Sequence, residues 1–263
     1  MSHESIVSVN AFGYSFYGGS EGNFINQILG EIKVKRKITV FTPNVDFLVR
    51  AEKDNAFKSI LKNSDYLVCD GLPISAFHNK FIRRGHLHRI TGSTVTKILA
   101  TKAYSQGLRV AFVGGNDGVA VRAAKKIMLS EGIAKPSNER IPIFSFCPEF
   151  GFEKSERLTK ELVNLINEFD PDFLFFGVGS PKQEKWICEN IDNLSFGAAF
   201  GIGASFDFIA GSKSRAPEWV QKSGAEWIWR MAQEPTRLGP RYLKAIFPFL
   251  ALCTKSIFKS WKY

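Results

Sequence analysis

Cysteine and histidine are both scarce in this sequence, with four of each in 263 residues. Cys69, Cys147, Cys188 and Cys253 stand far apart, with no CxxC and no histidine at metal-ligand spacing. A zinc module is excluded on that pattern, and buried free thiols in a reducing compartment are expected. The histidines (His3, His78, His86, His88) fall near the start or in a basic loop and are expected to be exposed and inert. No apolar run reaches spanning length: the stretch 245–253 covers less than half of a spanning helix and contains Pro248. No Lys or Arg precedes Lys33 and no apolar run lies there, so a cleaved signal peptide is not expected and the cytoplasm is the expected compartment. A Walker A loop, a GxSxG elbow and an HExxH helix are all missing, which leaves P-loop NTPase, esterase and zincin chemistry without support. No acidic pair flanks a single residue in the manner that holds Mg²⁺ or Mn²⁺ on a sugar transferase, so no essential metal is expected and no cofactor is implied.

What is present is a clustered charge. Of the net +10, the segment from Gly211 to the end carries +7, with ten Lys/Arg against three acids. Such clustering implies a partner, where an even scatter would serve only solubility. Upstream, short β-branched or aromatic runs ended by Gly, Pro, Asn or Asp alternate with amphipathic stretches, the pattern of parallel strands joined by helices. Strands are predicted at 38–41, 66–69, 109–113, 141–146, 172–178 and 196–200. Helices are predicted at 45–61, 94–106, 119–130, 154–169 and 182–190, with Ser93 preceding the second and Pro181 opening the fifth. The fold class is α/β: a Rossmann-like parallel sheet with flanking helices, followed by a basic, aromatic helical appendage. The division falls at 1–218 for the Rossmann-like domain and 219–263 for the appendage, where Trp227, Trp229, Tyr242, Phe247, Phe249, Phe258, Trp261 and Tyr263 stand among Lys and Arg.

In an open parallel sheet, ligands bind beyond the carboxyl ends of the strands. Four such ends carry candidate chemistry. FTPN puts Thr42 and Asn44 at a strand tip, as partners for sugar hydroxyls or as a turn and helix N-cap. LVCDG sets Asp70 after an apolar strand, as a general base on an acceptor hydroxyl or as an Asx-turn. VAFVGGND brings Gly114 and Gly115 to a helix start, as a phosphate approach or a plain tight turn. FLFFGVGSPKQEKW ends a strand at Gly177 and Gly179 and opens a helix with Ser180, Lys182, Gln183 and Glu184. That combination suits a diphosphate, although a lysine alone is more often solvated. GIGASFDF adds Gly201, Gly203, Ser205 and Asp207 to the same crevice.

Taken in order, TPN, CDG, RITGS (89–93), VGG, GVGSPKQEKW, GIGASFDFIAG, RAPEW, AEWIWR and QEPTR resemble the WecG/TagA/CpsF glycosyltransferase family, bacterial enzymes that build cell-surface polymers on undecaprenyl carriers. The resemblance runs from about Thr42 to Tyr242. It implies an inverting, metal-independent transfer from a UDP-sugar, of N-acetylmannosamine type or glucose, to an undecaprenyl-diphosphate-linked saccharide. It puts the base on Asp70, crevice groups on Thr42 and Asn44, and the nucleotide loop on Gly179 to Glu184. Arg89 and Gly92 join the substrate-binding set. The appendage becomes a membrane-associating segment that brings Arg230, Arg237 and Arg241 to a diphosphate. The implied partners are the UDP-sugar, the lipid-linked acceptor, an anionic membrane surface at the inner face of the plasma membrane and further copies of the chain; nucleic acid is not among them.

Two other readings compete. A nicotinamide-dependent oxidoreductase needs GxGxxG after the first strand and an acid about twenty residues on, and neither is present. A non-catalytic nucleotide-sugar binding protein needs only the fold.

Overall fold

Runs such as VAFVG and FLFFG, apolar at every position, suit strands covered on both faces. The computed structural model of the chain describes residues 7–130, 143–223 and 225–260, without the side chains of Glu218, Lys222, Ser223 and Arg237. The first elements are β1 (Ser8–Ala11), β2 (Tyr14–Tyr17), α1 (Glu21–Lys33), β3 (Ile38–Phe41), α2 (Val45–Ala51), α3 (Asn55–Asn63) and β4 (Tyr66–Leu67). Then come α4 (Leu72–Phe77), a π-helical turn (His78–Ile82), α5 (Gly92–Ser105), β5 (Val110–Gly114), α6 (Val119–Met128) and β6 (Ile143–Phe146). A 3₁₀ turn (Phe152–Lys154), α7 (Glu156–Phe169), β7 (Phe173–Gly177), α8 (Lys182–Glu189), β8 (Ala198–Gly201) and α9 (Ser205–Ala210) complete the α/β body. Helices α10 (Glu218–Ser223), α11 (Glu226–Gln233) and α12 (Pro235–Ser260) follow.

The described strands β3 to β8 form one six-stranded parallel sheet in the order β4-β3-β8-β7-β5-β6. Side chains alternate across it without a break. Ile38, Val40, Val110, Phe112, Phe173, Phe175, Ala198 and Phe200 join the core under α1, α5, α6 and α9. Phe41, Ala111, Val113, Leu174, Phe176 and Ala199 join the core under α2, α3, α7 and α8. Phenylalanine fills much of both layers, and Trp186 of α8 stacks on Phe176 with centroids 4.8 Å apart.

The expected strands and helices are in place with shifted ends. The predicted helix 45–61 is two helices, because the Asp54 carboxylate caps a new one by accepting from the Phe57 N–H at 2.9 Å. The N-cap of α5 is Thr91 rather than Ser93. The strand expected over 66–69 pairs only at Tyr66–Leu67, and Cys69 bridges to Arg89 alone. Ser155 caps α7, so that helix starts at Glu156, and the strand expected from 141 is described from Ile143. His78 is fully buried, against the expectation of exposure, with Nε2 3.3 Å from the Arg84 carbonyl; His86 is exposed, His88 half-buried, and His3 lies outside the described residues. Of the thiols, Cys69 and Cys253 are buried, but Cys188 is half-buried and Cys147 exposed.

The hairpin of β1 and β2 was not foreseen. Its turn puts Phe12 at φ 55° and Gly13 at φ 83°, and the Phe12 ring packs on Phe77 (5.6 Å) and on Phe249 of α12 (5.8 Å). Among the described residues no helix is long and apolar enough to cross a membrane. Helix α12 contains Pro240 and Pro248 and packs along α2.

Where β5 meets β7 the backbones nearly touch: Gly114 has φ +115°, and a Cβ there would lie 2.6 Å from the Gly177 carbonyl carbon. Gly114→Ala is therefore expected to destabilise the fold by about 2–4 kcal/mol, from strained φ plus a backbone clash. Urea denaturation checks this, and a midpoint equal to wild type contradicts it.

Candidate active site

Loops after β3, β4, β5, β7 and β8 open into one crevice above the carboxyl edge of the sheet, as the fold requires. Thr42 follows β3, is buried, and donates a long hydrogen bond to the Gly201 carbonyl at 3.4 Å. Asn44 caps α2, its Oδ1 accepting from the N–H groups of Asp46 (3.0 Å) and Phe47 (3.4 Å). Its cap role and its place on the crevice wall coexist. Asp70 follows β4, tied to the first loop by its N–H, which donates to Pro43 O at 3.1 Å. Its Oδ2 accepts from the Gly92 N–H at 3.2 Å. Burial pushes its pKa up to about 6, opposed by that N–H and by Arg89 and Arg230 and reinforced by Glu226.

The glycine loops are held by one buried amide. Gln183 Oε1 accepts from Gly179 N–H and Gly203 N–H, both at 3.1 Å, and its Nε2 donates to Glu184 Oε1 at 2.6 Å. Glu184 is fully buried and lines neither cavity described below; burial raises its pKa to about 7. It serves the loops from behind, as does Gly201, packed against Glu184, Gln183 and Phe41. Gly114 packs on Gly177, and Gly92 stands behind Asp70, so neither forms a wall. Lys182 Nζ pairs with Glu153 at 2.9 Å, and Ser180 Oγ accepts from Arg50 at 3.0 Å. Among the described residues, no three His, Cys, Asp or Glu side chains are grouped to hold a metal ion.

The crevice divides into two cavities of opposite character. The first, of 680 Å³, is walled by Gly115, Gly177, Gly179, Gly203, Ser180 and Asp207 and bounded by the loop 147–153. The second, of 390 Å³, is walled by Leu72, Trp227, Leu238, Tyr242, Ile246 and Phe249. Asn44, Asp70, Arg230 and Arg241 line both. Asp70 thus stands at the seam, with two guanidinium groups from the last two helices.

Residues 9–263 match the profile of the Glycosyl transferase WecG/TagA/CpsF family. The chain belongs to this family. It is an enzyme, a glycosyltransferase, and the binding-protein reading falls with that assignment. Relatives from Staphylococcus aureus strains MW2 and NCTC 8325 are each 28% identical over 217 residues, covering 82% of this chain and 80% of theirs. Both are named N-acetylglucosaminyldiphosphoundecaprenol N-acetyl-beta-D-mannosaminyltransferase.

In this glycosyltransferase the segment after Trp219 is clasped to the body by ion pairs. Glu226 of α11 accepts from Arg89 Nη2 and lies 3.7 Å from Arg215 Nε, while Arg215 also donates to Thr94 (3.0 Å) and Thr91 (3.1 Å). Asp46 accepts from Arg50 at 2.7 Å and from Arg241 of α12 at 2.6 Å. Arg230 lies over the Phe208 ring at 5.8 Å. Asp207 lies 3.8 Å from Lys213, which binds Glu234 at 2.7 Å. Arg89, expected at the substrate, lines the apolar cavity and also holds the appendage through Glu226. The Arg237 side chain lies outside the described residues.

Sequence reasoning missed Asp46, Arg50, Arg215, Glu226 and Glu153. Arg215 and Glu226 lie inside quoted motifs, RAPEW and AEWIWR, but nothing in their spacing marks them as partners.

Because burial raises the Asp70 pKa from 3.8 to about 6, its ionised form opposes folding: the stability present below pH 4 is lost as pH rises through 6. Asp70→Asn keeps an acceptor for Gly92 and is expected to gain about 1–2 kcal/mol at pH 8, allowing for solvent access from the crevice, and close to nothing at pH 4. Urea midpoints at the two pH values check this; equal midpoints at pH 8 contradict it.

Proposed function

We propose that this glycosyltransferase moves a sugar from UDP to a saccharide on undecaprenyl diphosphate, inverting the anomeric centre without a metal ion, at the inner face of the plasma membrane. The observation that carries the reading is Asp70 at the seam of a polar, glycine-walled cavity and an apolar one. A water-soluble nucleotide-sugar suits the first and a lipid-linked acceptor the second. The relatives' printed activity, on N-acetylglucosaminyldiphosphoundecaprenol, supports the same acceptor class and an N-acetylmannosamine donor.

Asp70 takes the proton of the acceptor hydroxyl while that oxygen attacks the anomeric carbon from the face opposite the leaving diphosphate. A pKa near 6 leaves the carboxylate ionised at neutral pH yet more basic than an exposed aspartate. Negative charge collecting on UDP meets the N–H groups of the glycine loops and the guanidinium groups of Arg230 and Arg241, charge-assisted donors held in place before the reaction. Thr42 and Asn44 flank the base and position sugar hydroxyls.

The exposed face of α12 supports a peripheral membrane position. Leu243, Phe247, Leu250 and Phe258 point outward at helical spacing, 54% to 80% exposed, with Lys244, Lys255 and Lys259 on the same helix. Apolar side chains in the headgroup region and lysines over anionic lipid suit such a helix.

Asp70→Asn is expected to lower kcat by 10²- to 10⁴-fold with UDP affinity kept within about twofold. Wild-type kcat should fall tenfold per pH unit below about 6 and be unchanged by EDTA. Acceptor-dependent UDP release measures all three, and an Asp70→Asn enzyme with full turnover contradicts the assignment. Removing the residues after Pro240 takes away Arg241 and most of α12, and should abolish turnover while UDP binding largely persists. Undiminished turnover in that truncation overturns the role of the appendage.

A further inference from the structure

The polar cavity has a wall that the mechanism does not use, the loop between β6 and α7. Glu149 to Phe152 form a tight turn, with Phe152 N–H donating to Glu149 O at 3.1 Å and Gly151 at φ 84°, ψ 9°. These are the marks of a type II turn, which presents its second residue at the tip. That residue is Phe150, and it is 99% exposed. The turn is anchored from below, because Phe152 is buried against Trp186 and Phe176 with centroids 5.8 and 6.2 Å away. A rigid turn that holds a phenyl ring in solvent at a cavity rim keeps apolar surface exposed at a cost, which a ligand would remove.

Lys182 fixes what kind of ligand fits. Its ammonium lies 4.7 Å from the Phe150 centroid and 2.9 Å from Glu153, at the start of α8 beside Gly179 and Ser180. One ring face is thus turned to a cation at the end of the glycine loops, and the rest of the ring stays open. Glu153 Oε2, on the same wall, is buried with no hydrogen-bond partner, an acceptor for a hydroxyl or ring N–H. An aromatic platform, a free acceptor and glycine loops within one cavity offer partners for a base, a ribose and a diphosphate.

We propose that the loop 147–153 is the nucleoside subsite and that Phe150 is the platform on which the base of the donor stacks. The proposal rests on the reading that the polar cavity takes the nucleotide, and it adds which residue recognises the nucleoside. Base stacking on an aromatic side chain contributes about 1–3 kcal/mol by alanine substitution, roughly 5- to 150-fold in affinity.

The test is titration of the full-length protein with UDP, with inorganic pyrophosphate as a displacing competitor. Phe150→Ala should weaken UDP at least fivefold, leave the pyrophosphate inhibition constant unchanged, and be rescued by Phe150→Tyr. In the wild type, saturating UDP should also slow maleimide labelling of the exposed Cys147 thiol, while pyrophosphate should not. Phe150→Ala with wild-type UDP affinity, or Cys147 labelling indifferent to UDP that is bound, overturns the subsite. A wild-type protein that binds no UDP overturns the donor reading itself.

Discussion

A carboxylate held in a partly closed crevice has to be compensated, and in this protein the compensation of Asp70 organises the residues around it. One N–H, from Gly92, reaches Oδ2, and Arg89 and Arg230 supply the nearest opposing charge. Arg89 in turn is held by Glu226 of α11, and Glu226 is itself a negative charge that raises the Asp70 pKa. The electrostatic state of the body's central carboxylate is therefore set in part by side chains of the last helices. Docking those helices and tuning the carboxylate are one arrangement of charge, which gives the ion-pair clasp a functional meaning beyond its modest contribution to stability.

The proposed function divides the labour between two cavities. Donor and acceptor of a lipid-linked glycosyl transfer differ sharply in polarity, and a single pocket would serve one of them poorly. Here the glycine loops, joined through Gln183, make a polar wall on one side of Asp70, and α4, α11 and α12 make an apolar wall on the other. The hairpin tip at Phe12 supports α12 from the far side, so even the first strands bear on the site.

Much of this was legible in the sequence, because parallel strands covered on both faces read as unbroken apolar runs and the residues that end them fall at the crevice. Asp70, Asn44, Gly179, Ser180 and Gly203 lie on its walls for that reason. Long-range pairing was not legible. Arg89 and Glu226 are 137 positions apart, and an arginine in a motif carries no mark of whether it meets substrate or a carboxylate. Glu184 looked like a first-turn acid facing the ligand, but its helix turns it into the body, where Gln183 donates to its Oε1. Strand β1 ends in a Phe-Gly turn that no rule on Asn-Gly hairpins would select, since tertiary packing of Phe12 offsets its left-handed backbone. The break at Asp54 came from a cap inside an otherwise continuous helical pattern.

On the proposed mechanism, a single displacement directed by Asp70 across the seam of the two cavities inverts the anomeric centre. The configuration of the product is read from the one-bond C1–H1 coupling, by NMR on the disaccharide released from a lipid diphosphate acceptor. An α-linked UDP-sugar should yield a β-glycoside; an α-glycoside would mean two displacements or a front-face route, and would remove Asp70 from the role of base.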